Sequence, residues 1–299
     1  MILWGITDGR AGHLTQLQGL CSALARQRDC EYHELPVPPL SETLPDLALG
    51  RARFTSALPD PDILIGAGHA SHLPMLCARR ARGGKTVVLM RPSLPRRCFD
   101  ICILPEHDGV PETDNVILSR GPINNVLPAQ ERKDFGVILA GGPSRHYRWD
   151  DDTMLQQIAT VIDRDPRRWL IADSPRTPSS MSKALAELAG RTVDFLSWPR
   201  TPANWLRDRL GECDTVWVSE DSMSMVYEAL TGGAGTGLLE VPPRRNSRIV
   251  RAMKSLAESG DVTRFGDWHG DPLPLPRRTY NEAERCAGKL LHQLGLLTS

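Results

Sequence analysis

Short, uninterrupted apolar runs alternate with amphipathic segments along most of this 299-residue chain. Residues 2–7 and 62–67 are two of the apolar runs, and residues 14–27 place leucines at three- and four-residue spacing, which predicts a helix. Continuous apolar strands that alternate with helices are typical of a parallel sheet covered on both faces. The pattern therefore predicts an α/β fold.

The alternation occurs twice, because residues 121–134 interrupt it with two prolines, two asparagines and several charges. The predicted strands are 2–7, 31–37, 62–67, 86–90, 99–104 and 115–119 before this segment, and 135–140, 169–172, 193–197, 215–219 and 237–241 after it. The predicted helices are 14–27, 70–82, 152–163, 180–189, 203–210, 222–232, 246–258 and 280–294. We predict two Rossmann-like domains facing a central cleft, with boundaries at 1–125 and 126–278, and a C-terminal helix in 279–299 that packs back on the first domain.

Charge and cysteine content exclude several classes of protein. The chain has 36 basic and 36 acidic residues, so no overall attraction to nucleic acid or anionic lipid is expected. The basic cluster Arg244, Arg245 and Arg248 is predicted to be a solvated face. Seven cysteines without a CxxC pair indicate a reducing compartment and no structural zinc. No signal peptide or membrane-spanning run is visible, which predicts a cytoplasmic protein and leaves peripheral membrane attachment open.

The first candidate site follows the first predicted strand, in the loop Asp8 to His13. Its glycines permit a tight turn, and its position at the carboxyl end of a strand is where α/β proteins bind ligands. Asp8 and His13 are candidates for proton transfer, although Asp8 could instead cap the turn and His13 could be merely exposed. The remaining candidates for substrate contact in this domain are Gly9, Gly12, Gln16, His107 and Asp108.

The second candidate site combines three segments that each follow a predicted strand of the second domain. Small residues, hydroxyl groups and an arginine at strand ends suit a phosphate or a ribose. In the third segment Asp221 is predicted to cap a helix, while the carboxylate one turn after Ser224 could accept hydrogen bonds from ribose hydroxyls. The candidates are Gly141, Gly142 and Ser144; Ser174, Arg176 and Thr177; and Asp221, Ser222, Ser224 and Glu228.

Two common nucleotide-binding motifs are missing. The sequence contains no GxxxxGK[ST] segment, and Gly66-Ala67-Gly68 lacks the third glycine of GxGxxG. Both absences count against a P-loop ATPase and an ordinary dehydrogenase.

Several of these segments together resemble the family named after the plant "elongated mitochondria" fission factor, whose bacterial members are regarded as glycosyltransferases. The matching segments are TDGRAGHLTQLQGL (7–20), PDILIGAGH (61–69), LPEHD (104–108), NVILSRG (115–121), ILAGGPS (138–144), SPRTP (174–178) and SEDSMSMVYEAL (219–230). The family is similar to GT-B glycosyltransferases, in which the second of two Rossmann-like domains binds most of a nucleotide-sugar donor. The sequence departs from the family pattern at His69, Pro175 and Gly233-Ala234.

The resemblance implies a glycosyltransferase that uses a nucleoside-diphosphate sugar, without a metal ion or other cofactor, and an acceptor that is a membrane-associated glycan or lipid. The second-domain candidates would bind the donor, Asp8 or His13 would be the general base, and the other first-domain candidates would contact the acceptor. Two alternatives stay open: a nucleotide-sugar epimerase on the same scaffold, and a non-catalytic adaptor of the organelle-fission type. No nucleic-acid partner is expected.

Overall fold

The structure is a computed structural model that describes residues 1–202 and 204–296. The chain divides into two compact units, each with its own core. Unit 1 comprises Met1–Asn125 together with the C-terminal segment that begins at Glu282. Unit 2 is the continuous segment Val126–Asn281.

Unit 1 is built on a six-stranded sheet in which every neighbouring pair of strands is parallel. The strand order is β2-β1-β3-β4-β5-β6. The central strands β3 and β4 are almost fully buried, which explains why they are apolar at consecutive positions. The strands are β1 (Ile2–Thr7), β2 (Glu31–Pro36), β3 (Ile63–Ala67), β4 (Lys85–Leu89), β5 (Ile101–Pro105) and β6 (Val116–Ser119).

Unit 2 contains a second six-stranded parallel sheet, with the order β12-β11-β10-β7-β8-β9. The strands are β7 (Lys133–Leu139), β8 (Arg168–Ala172), β9 (Val193–Leu196), β10 (Cys213–Ser219), β11 (Gly235–Leu239) and β12 (Thr263–Arg264). Two parallel sheets of this type confirm the predicted α/β class and its two Rossmann-like domains.

Helices cover the sheets of both units. Those of unit 1 are α1 (Ala11–Gln27), α2 (Leu40–Leu49), α3 (His72–Arg82) and α9 (Glu282–Gln293). Those of unit 2 are α4 (Asp151–Arg164), α5 (Ser179–Glu187), α6 (Trp205–Leu210), α7 (Met223–Gly232) and α8 (Arg248–Glu258). In the part of the chain that the structure describes, none of these helices has the length and apolar character that crossing a bilayer requires.

The C-terminal helix α9 packs against α1 within unit 1. Cys286 and Leu290 of α9 are fully buried in the same core cluster as Leu17 and Leu24 of α1. At the edge of this contact Arg26 forms a salt bridge of 2.9 Å with Glu284. The last segment of the chain therefore completes a core that the first segment begins.

One predicted boundary needs correction, and two elements were not predicted. The helix predicted over 14–27 begins earlier, at Ala11, because the carbonyl of Arg10 already accepts the N–H groups of His13 and Leu14. Helix α2 was not predicted, since Pro45 lies inside it and proline usually interrupts a helix. The two-residue strand β12 was also missed, being too short for a periodic pattern. Residue 203, where the helix predicted over 203–210 begins, and residues 297–299 lie outside the described residues.

Candidate functional site

Three loops meet at the carboxyl edge of the sheet in unit 2. Strands β10, β7 and β8 are neighbours in the sheet, so the loops that follow them are brought side by side. The loops hold the predicted residues Gly141 and Gly142, then Ser174, Arg176 and Thr177, and finally Asp221 and Ser222. The sequence therefore grouped these residues correctly at one edge, although they lie up to about eighty residues apart.

Backbone amides of the glycine loop donate hydrogen bonds to protein groups. The N–H of Gly141 donates to Oγ of Ser219 at 2.7 Å, and the N–H of Gly142 donates to Oδ2 of Asp221 at 3.2 Å. A phosphate would have to replace these acceptors. The prediction that the two amides contact phosphate stays a prediction.

Both glycines are required by close packing of the loops. A Cβ atom at Gly142 would overlap the carbonyl of Arg176, and a Cβ at Gly141 would lie 2.5 Å from Oδ1 of Asp221. Side-chain hydroxyls also link the loops after β7 and β8, because Oγ of Ser174 donates to the carbonyl of Gly141 at 3.2 Å. Oγ1 of Thr177 donates to the carbonyl of Ala140 at 3.0 Å. These loops therefore form one closely packed platform.

Asp221 is the centre of that platform rather than a helix cap. The predicted capping role is wrong, because the N-cap of α7 is Ser222 and the carboxylate of Asp221 turns inward. Its side chain is fully buried, and Oδ2 lies 2.7 Å from Nη1 of Arg176. Burial raises the pKa of Asp221, and the positive charge of Arg176 opposes that rise. Within the described residues Oδ1 makes no hydrogen bond.

Helix α7 begins next to this platform and carries the last predicted residues. Ser222 is half-buried at its N-cap, and Ser224 is exposed in its first turn. Glu228 follows one turn later on the same face, as the spacing predicts. Glu228 is half-buried, and burial raises the pKa of its carboxyl group to about 7.

An open groove of about 1030 Å³ lies over the platform. We call it the arginine groove. It is lined by Pro143, Ser144, Arg145, His146, Arg176, Asp221, Arg244 and Arg245. Arg145, Arg244 and Arg245 form no ion pair with any residue in the ranges 1–202 and 204–296.

Arg145, Arg244 and Arg245 were not among the predicted site residues. Arg244 and Arg245 are exposed, as predicted for a solvated face, and hydrogen bonds in addition tie their segment to the glycine loop. The N–H of Arg244 donates to the carbonyl of His146 at 2.7 Å, and its Nε donates to the carbonyl of Tyr147 at 3.0 Å. Burial lowers the pKa of His146, and the positive charges of Arg245 and Arg145 lower it further. Arg244 and Arg245 follow closely after the predicted strand 237–241, and this position could have indicated that they belong to the site.

The loop after β1 in unit 1 forms the second candidate site. Nδ1 of His13 donates to Oδ1 of Asp8 at 2.8 Å, so the two predicted proton-transfer residues are in contact. Burial acts to raise the pKa of Asp8, but the hydrogen bonds from His13 and from the backbone of Arg10 outweigh it, and the pKa is lowered. An ionised Asp8 fixes the tautomer of His13 and leaves Nε2 free to accept a proton.

Gly68, which the prediction did not include, packs against this pair. Its φ is +87°, a conformation that favours glycine, and a Cβ there would lie 2.5 Å from Nδ1 and Cε1 of His13. Gln16 contacts Sδ of Met90 at 3.3 Å through its amide nitrogen. The ends of β1 and β3 therefore both contribute to the surroundings of His13, while Met90, after β4, contacts Gln16.

The other first-domain candidates are only partly brought together. Gly9 has a φ of +75° and lines a cavity of about 430 Å³ with Asp8 and Glu34. A Cβ at Gly12 would meet nothing within 4 Å, so no close approach explains that glycine.

His107 and Asp108 follow β5, with Nε2 and Oδ1 3.9 Å apart. Strand β5 lies three strands from β1, which is roughly 14 Å at the usual spacing. They are therefore not neighbours of Asp8.

A metal site is not evident in the described part of the chain. Residues 1–202 and 204–296 contain no group of three or more His, Cys, Asp or Glu side chains that could hold an ion. The seven cysteines are free thiols.

Two parallel Rossmann-like sheets, each with polar loops at its carboxyl edge, define an α/β protein of the GT-B type. Solved structures with this fold cover nearly the whole chain. The chain belongs to the mitochondrial fission ELM1 family, whose model matches residues 11–294. This confirms the family resemblance seen in the sequence. No curated protein matches the chain.

Three solved structures illustrate the shared fold. A Listeria monocytogenes protein proposed to be a UDP-N-acetylglucosamine 2-epimerase has a TM-score of 0.62 at 9% identity, covering 99% of this chain and 97% of its own. The UDP-GlcNAc 2-epimerase of Methanocaldococcus jannaschii, in complex with UDP-GlcNAc and UDP, has a TM-score of 0.50 at 11% identity, with coverages of 98% and 100%. Spinosyn forosaminyltransferase SpnP has a TM-score of 0.51 at 12% identity, with coverages of 99% and 95%. At these identities the similarity shows the fold alone.

Proposed function

We propose that the protein is a glycosyltransferase that takes its sugar from a nucleoside-diphosphate sugar bound in the arginine groove of unit 2. The observation that carries this proposal is the set of guanidinium groups of Arg145, Arg244 and Arg245, which have no carboxylate partner among the described residues. Arginine binds phosphate oxygens through paired, charge-assisted hydrogen bonds. A diphosphate would supply negative charge opposite these three guanidinium groups.

The remaining parts of the donor have candidate partners on α7. Ser222 and Ser224 stand at the N-terminus of that helix, where the helix dipole favours an anion. Glu228, one turn after Ser224, would accept hydrogen bonds from ribose hydroxyls. Arg176 and Asp221 neutralise each other and hold the platform beneath, together with Gly141, Gly142, Ser174 and Thr177.

The proposed reaction needs no metal ion or other cofactor. An acceptor hydroxyl transfers its proton to Nε2 of His13 while its oxygen attacks the anomeric carbon, and the bond from that carbon to the diphosphate oxygen breaks. Asp8 holds the ring and stabilises the resulting imidazolium. The departing diphosphate carries away the electron pair, and the arginines and the α7 N-terminus stabilise its charge. The proposed acceptor is a hydroxyl of a glycan or lipid.

Epimerisation of a nucleotide sugar is the second candidate function. It is favoured by the fold shared with two UDP-GlcNAc 2-epimerase structures. An epimerase converts the nucleotide sugar without any acceptor, whereas a transferase releases the nucleoside diphosphate only when an acceptor is present. A chain that acts only as an adaptor would bind no nucleotide sugar.

Calorimetry with UDP, UDP-GlcNAc and a panel of other nucleotide sugars tests the donor site. We expect Arg244→Ala combined with Arg245→Ala to weaken binding by at least about tenfold, because a hydrogen bond to a charged group is worth roughly 1.5–3 kcal/mol. Arg251→Ala is the matched control, since Arg251 is exposed on α8 and its guanidinium donates to the backbone carbonyl of Asn246, outside the groove lining. Equal affinities in the double variant and the control, or no binding of any nucleotide, would overturn the proposal.

A further inference from the structure

Helix α2 of unit 1 turns an apolar face to solvent. Leu40, Leu44 and Leu49 are 59%, 54% and 63% exposed, and Pro45 and Ala48 between them are exposed too. The opposite side of the helix is packed, because Thr43 and Asp46 are buried and Leu47 contacts the core cluster that contains Cys77 of α3. Helix α2 therefore has a buried face that packs on the core, and the leucines are exposed on its other side.

Positive charge flanks the C-terminal end of this face. Arg51 follows α2 and Arg80 projects from α3 toward Gly50, with its Nε 3.5 Å from the position of a Cβ on that glycine. Both arginines are exposed, and neither forms an ion pair with another described residue. Arg53 adds a third guanidinium, which is two-thirds exposed and paired with the buried Asp46. Glu42, the exposed acid of α2, lies in the first turn, away from this end.

We propose that the exposed face of α2 docks the protein on the surface of an anionic membrane. Leucines beside basic residues, on a helix that lies along a surface, are the features of interfacial membrane binding. Leucine is under-represented among the residues that dominate protein–protein interfaces, where tryptophan and tyrosine are common, and the exposed face of α2 has no aromatic residue. A lipid surface also needs no shape complementarity, which suits one short helix.

The docking face adjoins the candidate acceptor side of unit 1. The N–H of Val37 donates to the carbonyl of Thr7, and Val37 lines the cavity that also contains Asp8 and Gly9. Leu40 follows Val37 by three positions in the sequence, a span of at most about 11 Å. A hydroxyl carried by a lipid would thus be delivered near Asp8. The docking itself does not depend on the proposed glycosyl transfer, because it requires no nucleotide.

Co-sedimentation of the full chain with lipid vesicles tests the proposal. We expect the protein to sediment with vesicles of equal parts phosphatidylcholine and phosphatidylglycerol, and less with phosphatidylcholine alone. Leu44→Ser combined with Leu49→Ser should lower the partition coefficient by about tenfold for each leucine. Arg51→Gln combined with Arg80→Gln should lower it by about fivefold for each charge, and only on the anionic vesicles.

The matched controls are exposed residues of the same types in unit 2. Leu127→Ser with Leu275→Ser, and Arg191→Gln with Arg251→Gln, should leave the partition unchanged. Hydrogen exchange of the wild type gives a second measurement that needs no variant: anionic vesicles should slow exchange in residues 38–50. A wild type that stays in the supernatant with both vesicles, or leucine variants that bind like the wild type, would overturn the proposal and would leave a protein partner as the occupant of this face.

Discussion

Glu228 makes the stability of unit 2 depend on pH in a direction that can be calculated. Its carboxyl group has an ordinary pKa of 4.5, and burial raises the pKa to about 7 in the folded protein. The folded state therefore holds a proton that the unfolded chain has lost, at every pH between those two values. Stability falls where the native state binds the extra proton, so the loss begins near 4.5 and is complete above about 7.

The size of the effect follows from the two pKa values. Each unit of pKa corresponds to about 1.4 kcal/mol, so the change from 4.5 to about 7 is worth about 3 kcal/mol. We expect about 2–3 kcal/mol, because Glu228 is half-buried and solvent screens part of its charge. Replacement by glutamine keeps the shape and removes the charge. Glu228→Gln should therefore be more stable than the wild type by this amount at about pH 8, and nearly equal to it at about pH 4.5.

Urea unfolding of the two proteins at both pH values measures the difference directly. Buried tryptophans in unit 2, Trp169 and Trp217, provide the fluorescence signal. Glu187→Gln is the matched control, because Glu187 is exposed on α5, and its stability should follow the wild type at both pH values. A stability difference for Glu228→Gln that is the same at both pH values would refute the reasoning.

Ligand binding provides a second test of the same group. If ribose hydroxyls donate to Glu228, the ligand favours the ionised carboxylate, and affinity for UDP-GlcNAc should rise as pH increases through about 7. The diphosphate of UDP-GlcNAc does not titrate near neutral pH, so the ligand itself does not cause this rise in affinity. An affinity that rises equally in wild type and Glu228→Gln would remove Glu228 from the ribose.

Two further predictions concern the loops at the sheet edges. Gly142→Ala should destabilise unit 2 by about 1–3 kcal/mol in urea unfolding, because the new Cβ meets the backbone carbonyl of Arg176. Gly12→Ala, which has open space around it, should leave stability unchanged or slightly raised. A Gly142→Ala variant as stable as the wild type would show that the loops can separate freely. Asp8→Asn and His13→Ala should each lower turnover by roughly 10²–10⁴ while the Kd for the donor changes little; full turnover in both variants would make this pair structural.

The buried elements of the fold could be predicted from the sequence because their signals are local. The strand over residues 135–140 is apolar at consecutive positions, and such runs have few alternatives to a covered parallel strand. Helix α2 gave no such signal. Its outer face is apolar, so it lacks the usual amphipathic pattern of a surface helix. It also contains Pro45, a residue that normally argues against a helix.

The candidate site was predictable only as far as residue types at strand ends indicate it. Asp8 and His13 lie close in sequence and both were predicted as candidates for proton transfer, but the hydrogen bond between them was seen only in the structure. The position of Gly68 behind His13 depends on the pairing of β1 with β3, which no local pattern specifies. Likewise the entry of Arg244 into the groove depends on backbone hydrogen bonds to a segment about a hundred residues earlier. Long-range pairing, rather than composition, decides which exposed arginines share a site.

The placement of α9 in unit 1 has a consequence for synthesis. Because translation proceeds from the N-terminus, Val126–Asn281 leaves the ribosome as one continuous segment and can fold while the chain is still being made. Unit 1 is completed only later, since Cys286, Leu290 and Leu291 of its core are synthesised after the whole of unit 2. Until then the faces of Leu17 and Leu24 that α9 covers remain exposed to solvent. Unit 1 is therefore begun before unit 2 and completed after it, and α9 does not cover its apolar surface during that interval.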